Sequence, residues 1–383
     1  MGSTLLALVS LLVVAAHSDE VYVKPKEAFI FGGNGQIGAA VVQMLLKQNY
    51  QITTLNRGSD YYNSRNTKSP KVTVLECDRF KGLKKQCPAF MEYLAANAHV
   101  DVVVDLNAFT TRYMKESADL FKTINVGVYL FISPDNVYDV SIKRHHGPTK
   151  ETDTERPVDK EEYETYADVD RFGHYKLLAE EYLASSGLNY LIFRAPDVIG
   201  ARDTSSKFWI YHMWVKYYET LNTPIHMPYE IKELVSSYVY LDDVVQAFKK
   251  GIESEVRNET FNIAFKEPVT LTTLLLEISH VLESPIKFNH EVTTDNSYHL
   301  YPSSARGQLD ISKAEFMLDF KPTKLTSAVK KTVNYYERAQ KLFDSERRKV
   351  MEELSNNIAT DQTRVKFMSM VMAEALSGRR DEL

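Results

Sequence analysis

The sequence predicts an α/β fold: a doubly wound parallel sheet with a smaller C-terminal lobe and a helical tail. Three observations predict it. From Glu27 to Phe193 short apolar runs alternate with stretches of helical spacing, the order that gives parallel strands joined by crossover helices. The turn between the first run and the first helical stretch is rich in glycine. Beyond Pro196 the alternation loosens, and from Leu325 to Leu376 the chain carries neither Pro nor Gly.

Taken in order, Ala28-Phe29-Ile30-Phe31 is a buried-strand run, and Ile37 to Leu46 repeats its apolar residues at helical spacing. Gln51 to Leu55 alternates as a half-buried strand does. Val72 to Leu75, Val100 to Leu106 and Val128 to Ile132 are further strands, separated by helical stretches around Phe90–Leu94 and Arg112–Phe121. A long helix follows from Arg171 to Ser185, then a strand from Tyr190 to Phe193, completing a domain over residues 26–195. Lys207 to Tyr218 is aromatic-rich, and a Pro-punctuated stretch to Glu230 continues a smaller lobe over residues 196–336. Within it, Ser236 to Val239 and Asp242 to Lys250 are expected to return to the main sheet. In the tail, residues 337–383, Met368, Val371, Met372 and Ala375 share one helical face. That face suits either packing on the chain's own domain or a homodimer contact.

The two ends predict a compartment. Leu5 to Ala16 is an apolar run too short for a membrane span, which needs ~20 residues. Ala16-His17-Ser18 follows, a small-x-small pattern that suits signal peptidase, so residues 1–18 read as a signal peptide. Arg380-Asp381-Glu382-Leu383 resembles the KDEL-type address read by a retrieval receptor of the early secretory pathway. Together they predict residence in the endoplasmic reticulum lumen, with that receptor as a partner, and no other segment reaches the length of a membrane span. A net charge of −5 gives no overall attraction to nucleic acid. Cys77 and Cys87 are too few for a disulfide scaffold and are either paired across a short loop or both free. No metal-ligand pattern is present, and Asn258-Glu259-Thr260 is the one glycosylation sequon.

Gly33-Asn34-Gly35-Gln36-Ile37-Gly38 matches G-x-G-x-x-G where that pattern has a mechanism, after a strand and opening a helix. Gly33 is expected to permit the tight turn, Gly35 to let backbone approach a pyrophosphate, and Gly38 to let helix pack on strand. Free N–H groups and the dipole of the helix N-terminus then hold the phosphates. Gly32, Gly33, Asn34, Gly35, Gln36, Ile37 and Gly38 are thus the candidate cradle for a nicotinamide dinucleotide in a Rossmann domain. At the end of the second strand, where an NAD binder places Asp or Glu, stands Asn56-Arg57-Gly58. Arg57 can pair with a 2′-phosphate, and the segment holds no carboxylate to repel one, so NADP is favoured over NAD. Asp78, after the third strand, is placed either to meet the adenine ring or to cap its own loop.

These residues resemble a family. Gly32 to Gly38 resembles the glycine signature of the extended short-chain dehydrogenases/reductases, relatives of the nucleotide-sugar epimerases and dehydratases. Ser133 to Tyr138 resembles their fifth-strand segment, Phe172 to Glu180 their active-site helix, and Arg194 to Gly200 the loop that follows. Tyr238 to Val244 and Phe261 to Ala264 look like later landmarks, so the resemblance covers Glu27 to Tyr336. It implies a substrate lobe beyond Pro196, a small-molecule substrate of the nucleotide-sugar class, and a cleft near Phe172.

The family's reaction uses a Tyr-x-x-x-Lys pair and a nearby Ser or Thr. Its Lys holds the nicotinamide ribose and lowers the tyrosine pKa, so that the phenol moves a proton while hydride passes to the cofactor. Lys176 matches that Lys and is implied to bind cofactor. Four residues before it stands Phe172, and on the Val137-Tyr138 register the hydroxyl position is Pro134. Neither side chain carries a proton. Tyr175, about one turn beyond Phe172, His174, with a pKa near neutrality, and Ser133, beside Pro134, are the candidates to take over.

Two readings follow. The first is an NAD(P)-binding protein without the usual redox chemistry, since the retained residues serve binding and the replaced ones serve reaction. The second is an active epimerase, dehydratase or reductase with a relocated acid-base group. A third, an RNA-binding relative suggested by Leu55-Asn56-Arg57-Gly58, is opposed by the acidic charge and the luminal address.

Overall fold

The structure is a computed structural model that describes residues 25–59, 61–62, 69–293, 299–358, 365, 367, 369 and 370. The signal segment, the C-terminal tetrapeptide and Met368, Val371, Met372 and Ala375 lie outside the described residues. Six strands, β1 (Glu27–Phe31), β2 (Gln51–Asn56), β3 (Val72–Glu76), β4 (His99–Asp105), β5 (Asn125–Pro134) and β6 (Tyr190–Ala195), join an edge strand, Glu259–Asn262. All seven pair in parallel, in the order β3-β2-β1-β4-β5-β6 and then the edge strand. The order reverses between β1 and β4, which opens a crevice at their carboxyl ends where such sheets bind ligands.

Strand alternation assigns each face of the sheet. In β1, Ala28 and Ile30 point to one layer and pack with Val41, Val42 and Leu45 of the first helix, Gln36–Lys47. Phe29 and Phe31 point to the other and meet Phe90 and Phe121, with ring centroids 5.1 Å apart for Phe29–Phe90 and 5.3 Å for Phe29–Phe121. Each of these fully buried phenylalanines contributes about 2–3 kcal/mol of transfer free energy. A third core lies in the lobe around helix Lys207–Lys216, whose residues from Phe208 to Val215 are all buried. A helix apolar all round must be covered all round, and helices Leu271–Leu282, Leu325–Leu342 and Asp344–Ile358 cover it.

One expectation is corrected. Ser236 to Val239 does not return to the main sheet: Val235–Ser236 pairs antiparallel with Val269–Thr270, and Tyr238–Tyr240 pairs parallel with Asp197–Ile199. Pro196 has no N–H for a ladder, so β6 stops at Ala195 and the chain beyond it starts a separate pair. Helix Leu241–Glu253 does return, packing on Gln36–Lys47. The helical stretch that begins at Leu325 is not continuous: Phe343 separates Leu325–Leu342 from Asp344–Ile358. Asp344 opens the second, ion-paired one turn on with Arg347 and Arg348, an acidic residue where the helix dipole favours it. Sequence reading also passed over the exposed helix Lys160–Val169, which Asp159 caps through Glu162 N at 2.9 Å.

Candidate functional site

The crevice holds two adjoining cavities that share Gln36 and Thr204. The first, about 310 Å³, begins at the glycine turn. The left-handed residue there is Gly32, with φ +86°, and not Gly33 as the motif suggested. Gly33 instead lies so close to Thr54 that a side chain would collide with it, and a Cβ on Gly38 would overlap the Gly32 carbonyl. Gly35 meets nothing nearer than 3.8 Å, and it caps the helix with no side chain on the free N–H groups. Gln36 Nε2 is buried and has no hydrogen-bond partner among the described residues. Uncapped donors, an orphaned amide and an open glycine fit a diphosphate.

At the far end of this cavity, Asn56 Oδ1 accepts from Gly58 N at 3.1 Å, and Arg57 lies 5.6 Å from the centre of the Phe80 ring. The segment itself holds no carboxylate, but one reaches it from the neighbouring strand. Glu76, opposite Asn56 across the β2–β3 pair, packs its carboxylate against Gly58. Asp78 caps its own loop, its Oδ1 accepting from Phe80 N at 3.1 Å at the start of the short turn Arg79–Lys81, and it also lines the cavity. Cys77 and Cys87 are joined in a disulfide, their Cα atoms 5.7 Å apart, which closes the segment carrying Asp78, Arg79 and Phe80.

Arg79 and Phe80 were missed. Arg79 is buried, pairs with Asp105 Oδ1 at 2.7 Å, and donates to Asn107 Oδ1 at 2.7 Å and Tyr113 O at 2.9 Å. Asp105 also accepts from Tyr129 at 2.7 Å and from Ala108 N at 2.9 Å, so this network fixes the cavity floor. Phe80 leads to Phe109 (5.7 Å), and Phe109 to Phe172 (6.3 Å), an aromatic line running from one cavity to the other. The available signal was position: the segment carrying both leaves the carboxyl end of β3, the end of the parallel sheet at which ligands bind.

The second cavity, about 260 Å³, brings together Pro134 and Phe172, the two residues expected from the sequence to stand at the reacting positions. Asp135, Asp197, Lys207 and Ser303 line it with them. Asp197 accepts from Lys207 Nζ at 3.1 Å and from Ser303 N at 2.7 Å. Burial, then the neighbouring Asp197 and Asp139, raises the Asp135 pKa well above its ordinary value.

The remaining candidates lie off the cavity walls. Lys176 is buried, donates to Ile132 O at 3.0 Å, and sits under the Phe109 and Phe131 rings, at 5.4 and 4.5 Å from their centres. Burial pushes its pKa down to about 8. Ser133 is 1% exposed, and its hydroxyl has no partner among the described residues. The parallel pairing of β5 with β6 sets it opposite Arg194. His174 Nδ1 lies 3.3 Å from Arg156 Nη1, and burial and that guanidinium lower its pKa. Tyr175 packs against His174 and is otherwise open to solvent. Ser133, His174 and Tyr175 line neither cavity.

The other family landmarks form one buried network. Arg194 pairs with Glu180 at 2.6 Å and donates to the Tyr138 hydroxyl at 2.9 Å, which donates to Asn262 Oδ1 at 2.6 Å. The sheet order, the glycine turn and this network define an extended short-chain dehydrogenase/reductase. The chain belongs to the NAD dependent epimerase/dehydratase family, whose model matches residues 28–264.

Solved structures agree on the fold. The UDP-glucose 4-epimerase of Thermotoga maritima, with UDP-glucose, is 20% identical at a TM-score of 0.63, over 82% of this chain and 99% of that one. The UDP-glucuronic acid 4-epimerase of Bacillus cereus, with UDP-glucuronic acid and NAD, is 17% identical at 0.62, over 82% and 99%. The dTDP-glucose 4,6-dehydratase of Bacillus anthracis, with NAD, is 15% identical at 0.62, over 83% and 99%. A search of curated proteins finds no match.

Proposed function

We propose that this chain is a luminal NAD(P)-binding member of its family that holds a small sugar-class ligand without the usual tyrosine-based redox chemistry. The observation that carries the reading is the meeting of Phe172 and Pro134 on the wall of the second cavity, beside a dinucleotide cavity whose glycine cradle is intact. A phenyl ring and a pyrrolidine ring cannot exchange a proton with a ligand in that cavity. The cofactor, when bound, supplies hydride chemistry; Gly35 and the N-terminus of helix Gln36–Lys47 would hold its diphosphate, and Asp78 its adenine end. Lys176 belongs to this reading as a cofactor contact, reached once Phe109 moves aside. We keep NADP as the preferred cofactor, because Arg57 lines the cavity and Glu76 does not. The Cys77–Cys87 disulfide supports an oxidising compartment, as expected for the endoplasmic reticulum lumen. Asn258, exposed at the start of the edge strand, is open to glycosylation there.

A second reading, an active enzyme with a relocated acid, is favoured by Asp135, a buried carboxyl on the wall of the same cavity. Titration with NADP(H) and NAD(H), followed by reduced-cofactor fluorescence and then a nucleotide-sugar panel, separates the two. Saturable binding without turnover is the expected result. Turnover lost in Asp135→Asn would establish the second reading, and failure to bind either cofactor would overturn both.

A further inference from the structure

The second cavity has a cation, a helix N-terminus and Asn136 that could bind an anion, and the chain has used these on itself; the unpartnered Gln36 amide, shared with the first cavity, is the donor assigned above to a diphosphate there. The second cavity's one lysine among the described lining residues, Lys207, is ion-paired with Asp197 at 3.1 Å and also bonded to Ser303. Helix Lys207–Lys216 points its N-terminus at the cavity, where a phosphate would find free N–H groups. Asp203 already occupies that end, accepting from Ser205 N at 2.8 Å and Phe208 N at 3.2 Å. Asn136 is likewise committed, donating to Asp170 at 2.7 Å and Ser303 O at 2.9 Å.

What stays available is an acceptor. Asp135 is 5% exposed, lines the cavity, and takes no hydrogen bond from any other described residue; only its own backbone N–H approaches it. A buried carboxyl without a partner calls for a ligand that brings O–H or N–H donors. A diphosphate would instead meet three aspartate side chains, Asp135, Asp197 and Asp203, and no uncommitted cation among the described lining residues.

We propose that the second cavity takes a phosphate-free, donor-rich ligand of the sugar class, a polyhydroxy or amino sugar anchored by Asp135, and not a sugar linked to a nucleotide. This rests on the reading of that cavity as the ligand chamber of a cofactor-binding protein. It places this chain apart from the neighbouring structures that hold UDP-glucose and UDP-glucuronic acid.

The test uses the full luminal chain, with and without NADP(H), and four probes: glucose, glucosamine, UDP-glucose and UDP. Saturation-transfer NMR with competition ranks them. The expected result is that glucose and glucosamine bind, UDP does not displace them, and UDP-glucose binds no tighter than glucose. Asp135→Asn should weaken sugar binding about tenfold, the worth of one hydrogen bond to a buried acid, with the same thermal midpoint or a higher one. Displacement by UDP, tighter binding of UDP-glucose, absence of sugar binding, or an unchanged affinity in the variant would each overturn the proposal. Cofactor fluorescence in the same samples reports separately on the reading beneath it: sugar binding without cofactor binding sinks that reading alone.

Discussion

Replacing Lys176 with methionine is expected to make the protein more stable and its cofactor complex weaker. The lysine is 3% exposed, and burial lowers its pKa from 10.5 to about 8 against the pull of Asp105 and Glu180. At ~1.4 kcal/mol per pH unit, that difference means a cost of about 3 kcal/mol for keeping the ammonium charged inside the fold near neutral pH. Lys176→Met retains the stem and the volume, removes the charge, and loses the bond to Ile132 O, worth about 1 kcal/mol. The net gain should be about 2 kcal/mol at pH 7. The folded state binds this proton less tightly than the unfolded state does. Wild-type stability therefore rises with pH between about 8 and 10.5, the variant lacks that rise, and the wild type overtakes it towards the upper end by about 1 kcal/mol, the worth of the bond to Ile132 O. Urea unfolding at pH 7, 9 and 10.5, followed through the buried Trp209 and Trp214, measures the gap, and reduced-cofactor fluorescence measures affinity. A variant less stable at every pH would show that the lysine is a packing residue. Stabilisation with cofactor affinity intact would remove Lys176 from the binding site.

Arg57→Ala should cost about tenfold in NADP affinity, the loss of one charge-assisted contact, while NAD affinity changes little; fluorescence titration with each cofactor decides it, and equal losses would mean no 2′-phosphate contact. Cys77→Ala with Cys87→Ala should lower stability by about 2–3 kcal/mol, because the bond closes a short loop in the unfolded chain. The same pair should weaken cofactor binding by loosening Asp78 and Phe80, which thermal unfolding with and without NADP(H) would detect. Glu337, held down at about 2 by His212 and Lys216 although burial opposes it, contributes stability that is present above pH 4.5 and lost as pH falls towards 2. In Glu337→Gln that acid-induced loss should shrink, as followed by circular dichroism between pH 5 and 2.

The parallel sheet was legible because its signal is local. Residues 28–31 must alternate between two helical layers, and a glycine turn leading into a helix has few other uses. Whatever depended on distant partners was not legible. Nothing near Asn56 announces that Glu76 arrives from the next strand, and nothing near Arg79 announces Asp105, Asn107 and Tyr113 as its acceptors. The stretch from Leu325 reads as helical because no Pro or Gly interrupts it, and no Pro or Gly marks the break at Phe343. Helical spacing from Lys176 did identify Phe172 correctly as a cleft residue. The same spacing could not tell that His174 and Tyr175 turn towards Arg156 and solvent.

The cleft explains how a family signature and its chemistry can part company. Arg194, Glu180, Tyr138 and Asn262 match the landmarks by which the chain is recognised, and each is buried and bonded to another of the set. Removing any one strands a buried charge or polar group in the sheet, at a cost of several kcal/mol. Phe172 is under no such constraint: it is 45% exposed, its ring meets Phe109, and no hydrogen bond would be lost by exchanging it with tyrosine. Pro134 ends a strand at the cavity wall, where a missing N–H costs the ladder little. The motif residues are thus held by the fold while the reacting positions are held only by the reaction. A chain that has come to bind a ligand without converting it would change at Phe172 and Pro134 first and keep everything else that makes it recognisable.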